Sequence, residues 1–141
     1  MQTFIIKTHQ PGKSYPQPHF FVLNKGLNAG KSLKKPCPNC FVIITKSVHS
    51  CNHLFHLTLM LQIGQFFKAY LKGSVIPFIT INDCAMVIKK AYCEDAQLLN
   101  KSAKMIENLT KKEEEYQFLL HKLAQLKRAY IQSIFKNLEL M

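Results

Sequence analysis

The thiols and imidazoles between residues 37 and 56 are the side chains of this 141-residue sequence best equipped for chemistry. Cys37-Pro38-Asn39-Cys40 has the spacing of half a zinc site, because two thiolates on one turn can converge on a single ion. The other half would have to come from His49, Cys51, His53 or His56. Helical spacing puts these histidines on one face. The interval from Cys40 to Cys51 matches no standard zinc module. Cys37, Cys40, Cys51, His53 and His56 therefore stand as zinc candidates, and their bland alternative is a tight turn followed by surface histidines. A redox role for the pair is disfavoured, since the motif precedes a strand instead of opening a helix. Five irregularly spaced cysteines do not make a disulfide framework and read as reduced thiols.

Gly26-Leu27-Asn28-Ala29-Gly30-Lys31-Ser32 follows a strand, as a nucleotide-binding loop would. That loop needs four residues between its glycines, and here there are three. It must also open a helix, yet Pro36 and Pro38 follow at once. Paired carboxylates occur only after residue 82, where Glu113-Glu114-Glu115 reads as a solvated helix face. The expectation is a protein without its own catalytic machinery and without a bound cofactor, zinc being the one exception left open.

Charge is the largest departure from an average domain. The formal net charge is +11, and residues 1–82 carry nine lysines and no Asp or Glu, whereas the remainder is nearly balanced. Unopposed lysines repel one another unless an anion binds them, and phosphate backbones are the commonest such partner. Lys25, Lys31, Lys34, Lys35 and Lys46 are the expected phosphate contacts, with Lys68 and Lys72 flanking and Asn28 as a base-reading amide. The partner expected is nucleic acid, DNA before RNA.

These residues need elements to hold them. Thr3 to Thr8, His19 to Leu23 and Phe41 to Thr45 have strand composition, and Val75 to Ile81 reads as a fourth strand at an edge because of Pro77. Residues 24–39 read as a long basic loop. Ser47 is an N-cap for a helix running to Gly73, and Asn82 or Asp83 caps the next. From residue 99 onward Leu99, Ile106, Leu120 and Ile134 form one heptad column, and Leu109, Tyr116, Leu123 and Tyr130 form a second. Glu113 and Lys127 interrupt the first column, as register-setting polar residues do. The predicted fold is α+β. A small mixed sheet of about four strands with one packed helix (1–82) leads through a helical connector (83–98) to a long coiled-coil-like helix for association (99–141). The apolar N-terminal run is too short for a signal peptide, and the most apolar window is broken by His56, Gln62, Gln65 and Lys68. A cytoplasmic location with no membrane partner follows as an expectation.

Pro18 to Lys31, Pro36 to Val42 and Gly73 to Ile79 resemble an uncharacterised family of short proteins from Bacteroides-group bacteria. More remotely, Lys68 to Val75, Ile81-Asn82-Asp83 and the helix ending Leu126 to Ile131 are similar to the end of a target-recognition domain and its spacer helix in type I restriction-modification specificity subunits. That likeness implies a truncated DNA-recognition domain paired through its helix. The readings carried forward are a non-catalytic nucleic-acid-binding module forming a homodimer or docking to a larger protein, an adaptor or inhibitor of an acidic protein, and a small zinc-binding domain.

Overall fold

The computed structural model describes residues 4–92 and 96–138. Thr3 at the start of the first predicted strand, residues 93–95 of the predicted connector and residues 139–141 of the association segment lie outside them. The fold is α+β, with a four-stranded sheet, two helices packed on it and a long C-terminal helix.

The strands are β1 (Ile5–Thr8), β2 (His19–Leu23), β3 (Ser32–Leu33) and β4 (Cys40–Ile44), in the order β1-β4-β2-β3. Every pairing is antiparallel, so the sheet is not mixed. β-branched and aromatic residues alternate along β2 and β4 and divide the apolar set between two faces. Phe20, Val22, Phe41 and Ile43 point to the main core with Leu54 and Leu57, while Phe21, Cys40 and Val42 form a smaller cluster beneath Tyr15 and Leu33. β4 lies centrally and is almost wholly buried, as its continuous apolar run requires.

The main core is closed by α1 (Val48–Ile63) and α2 (Ile81–Tyr92). Ser47 caps α1 as expected, its side chain accepting from the Ser50 N–H at 3.1 Å. The helix stops well short of Gly73. Gly64 ends it, Gln65 takes a left-handed φ of 65°, and a short 3-10 turn follows at Lys68–Tyr70. The reversal swings Phe67 inward, where it is 1% exposed. Phe66 and Tyr70 thus kept helical spacing in a segment that is not one helix.

The predicted fourth strand at Val75 to Ile81 does not form. Only Phe78 bridges, to Lys25 on one side and Lys72 on the other, and the sheet's fourth strand is the two-residue β3 inside the basic loop. Ile81 already opens α2. The residue before it, Thr80, supplies the cap in place of Asn82 or Asp83, its hydroxyl accepting from the Asp83 N–H at 3.2 Å. Cys84, Val87 and Ile88 of α2 belong to the main core.

By its internal packing the chain divides into two compact units, 1–103 and 104–141. The long helix, α3 (Ala96–Ile134), begins in the first and makes up most of the second. Leu99 packs against the main core. Beyond residue 104 the apolar residues of α3 are exposed, with Leu109, Tyr116, Leu120, Leu123, Tyr130 and Ile134 all more than half open to solvent. Ile106 is half-buried.

Candidate functional site

Asn24 to Gly30 turns back on itself after β2, held by Gly30 N–H donating to the Leu23 carbonyl at 2.7 Å and Lys31 N–H to the Asn28 carbonyl at 3.1 Å. Gly30 has φ +101°, and a Cβ there would overlap the Phe67 ring. The loop can therefore lie flat against the turn that follows α1. Between them opens a cleft of about 450 Å³ lined by Leu27, Asn28, Gln62, Ile63, Gln65 and Lys68, with Leu71, Gly73 and Pro77 along its far wall.

The far wall is a short backbone ladder. Lys72 and Phe78 exchange two hydrogen bonds of 2.8 Å, the Ile79 N–H donates to the Asn24 carbonyl, and the Gly26 N–H donates to the Pro77 carbonyl. Phe78 is thus flanked by Lys25 and Lys72. Four of the eight predicted anion-binding residues, Lys25, Asn28, Lys68 and Lys72, come from segments that line or border this cleft, and Lys31 ends its loop. All five are exposed.

The other three predicted lysines lie elsewhere. Lys34 and Lys35 follow β3 along the sheet edge, where the Lys34 ammonium sits 5.9 Å over the Phe55 ring of α1. Lys46 follows β4 at the end where Ile44 pairs with His19, away from the Leu23 and Cys40 end that carries the cleft loop. Among the described residues, Lys72 alone of the eight is in an ion pair, with Asp83 at 3.6 Å.

The cleft sets one ammonium and three side-chain amides among apolar carbons. Such a set can hold an anionic group through charge and hydrogen bonds, with Leu27, Ile63 and Pro77 offering apolar surface beside it. Gln62, Gln65, Leu27 and Ile63 were not read as site residues from the sequence. No spacing rule marks them, since Gln62 comes from the last turn of α1 and Gln65 from the reversal after Gly64. Leu27 (79% exposed), Ile63, Phe66, Val75 (90%) and Ile76 stand open in the same stretches of chain.

The five zinc candidates do not converge. Alternation along β4 puts Cys40 in the small cluster, near Cys37, whereas Cys51 belongs to the main core on the opposite sheet face. The Cys40 thiol donates to the Cys37 carbonyl at 3.1 Å. His53 packs edge-on against Tyr92, and His56 is exposed beside Phe55. No cluster of three metal-ligating side chains occurs among the described residues. Burial pushes the Cys40 and Cys51 thiols up and drives Cys84 up to about 12, so these sulfurs stay protonated and poorly nucleophilic.

A basic α+β domain with an amide-lined cleft and an apolar C-terminal helix is the class these features define. The chain belongs to a family of unknown function, DUF6943, whose sequence pattern matches residues 6–133. Neither curated proteins nor solved structures include a match to it. No helix among the described residues is long and apolar enough to cross a membrane.

Proposed function

We propose that this chain is a non-catalytic nucleic-acid-binding module of the cytoplasm. It would grip phosphates with Lys25, Lys31, Lys68 and Lys72 around the cleft and associate through α3. The observation that carries the reading is the state of the lysines. Nine of them face no carboxylate within residues 1–82. Of those at the cleft, only Lys72 finds a counter-charge among the described residues. A surface left in that state gains free energy from any polyanion that displaces its mobile counterions. The amides of Asn28, Gln62 and Gln65 can meet base edges or sugar hydroxyls once phosphates are seated. The likeness to target-recognition domains favours DNA over RNA.

A salt titration with a fluorescent duplex tests this. Four to five phosphate contacts give a log–log slope of about −4, a loss of roughly two to three decades between about 50 and 200 mM salt. Absent or salt-insensitive binding overturns it. The exposed Leu27, Val75 and Ile76 favour one second reading, an adaptor or inhibitor that sets lysines and apolar side chains against an acidic protein. Purification with a protein and without nucleic acid would select that reading.

A further inference from the structure

The unpartnered face of α3 has one feature that selects its occupant. Glu113 and Lys127 both sit in the heptad column of Ile106, Leu120 and Ile134, one each side of the helix segment around His121 and Lys122. In a parallel in-register pair every seam residue meets its own copy. Glu113 would face Glu113 and Lys127 would face Lys127, two like-charged layers with little water to screen them.

An antiparallel pair instead sets each first-column residue across from a second-column one. We propose that residues 109–134 of two copies pair antiparallel, crossing midway between His121 and Lys122. In that register Leu120 lies across from Leu123 of the second copy, Leu109 from Ile134, Tyr116 from Lys127 and Glu113 from Tyr130. Glu113 and Lys127 of opposite copies fall in successive layers, one helical turn (about 5 Å) apart, so each seam charge gains an opposite one. Lys127 also lies on an aromatic face, and the Tyr130 hydroxyl can donate to the Glu113 carboxylate. Leu119 meets Leu126 beside the central layers.

Two further observations fix the register. Leu99 is already packed against the main core, so the seam left open to a second copy starts beyond it. Sliding by one heptad toward the N-termini would set Glu113 against Leu123 and Lys127 against Leu109. The apolar residues the pair would cover, Leu109 to Ile134, are the ones the single chain leaves open. Off the seam, Phe118 is capped by the Lys122 ammonium 5.3 Å above its ring, and the pair Lys111–Glu107 (3.8 Å) lies within one helix. The inference rests on the associating half of the proposal above and is independent of the nucleic acid.

Sedimentation of the full chain without nucleic acid is the test. A mass twice that of the chain is expected, with Glu113→Lys and Lys127→Glu each weakening dimerisation about tenfold and the double exchange Glu113→Lys/Lys127→Glu restoring it to within about threefold. Both positions are exposed in the single chain, and helicity by circular dichroism is read alongside. A single-chain mass at about 100 µM protomer, an assembly larger than two, or a dimer that the double exchange fails to rescue overturns the proposal. DNA binding by a chain that stays monomeric would sink this inference alone, and a rescued dimer that ignores DNA would sink only the preceding one.

Discussion

Residues 1–103 and 104–141 leave opposite things unfinished. The first unit hides most of its large apolar residues in two clusters, and among the described residues only Lys72 of the nine lysines in 1–82 is in an ion pair. The second balances charges within one helix, through Lys111–Glu107 and Lys112–Glu115 at 3.4 Å, and leaves a row of Leu, Tyr and Ile in water. On the proposed reading, desolvation favours an apolar partner for the second and counterion release an anion for the first. One chain thus presents two surfaces expected to respond differently to salt. Raising ionic strength weakens the lysine face and leaves the helix seam little changed.

The same truncation made in both units gives the largest test of this contrast. Leu54→Ala, at a fully buried site, is expected to cost about 3 kcal/mol in urea denaturation. Leu123→Ala, measured where the chain is dilute enough to be monomeric, should stay within about 0.5 kcal/mol and show its effect only in dimerisation. Equal losses at both positions would erase the distinction between the units.

A smaller effect sharpens the picture of a sealed first unit. Cys84 is held at about 12 against an ordinary 9.0 by burial. Because the folded value is the higher, its protonated form stabilises the fold fully below pH 9, and that contribution is lost as pH rises toward 12. By pH 10.5 the loss should reach about 2 kcal/mol, visible as a steeper alkaline decline in the native chain than in Cys84→Ala. Identical pH profiles would mean that water reaches this sulfur.

The smallest concerns a flaw inside that interior. The Thr58 hydroxyl is buried and has no hydrogen-bond partner among the described residues. Thr58→Val keeps the shape, removes the stranded oxygen and is expected to raise stability by about 1 kcal/mol in thermal unfolding. Destabilisation by the same change would show that the hydroxyl is satisfied in solution.

What the sequence displayed and what it concealed divide along the same physical line. β2, β4, the Ser47 cap and the heptads of α3 were legible because each is written in local pattern: alternation, a capping side chain, a sustained period. β3 was not, since two residues between lysines carry no pattern and are strand only through β2. The end of α1 was misplaced because Phe66 and Tyr70 continue the period across Gly64, and only the burial of Phe67 reveals the reversal. The lysines were visible as a charge imbalance, but their sorting into a cleft group, an edge group and Lys46 depended on the ladder around Phe78. The cysteines were grouped by spacing along the chain, whereas the pleat of β4 sends Cys40 to the face opposite Cys51.

The brevity of β3 has a consequence of its own. With Ser32 and Leu33 as its entire length and lysines at 31, 34 and 35, this margin of the sheet offers an incoming strand almost no template. Ammonium repulsion is one safeguard against fibril growth there, and it fades once a polyanion neutralises the lysines. Strand length is a safeguard that neutralisation cannot remove, so molecules crowded along one polymer would still be unable to zip together through that margin.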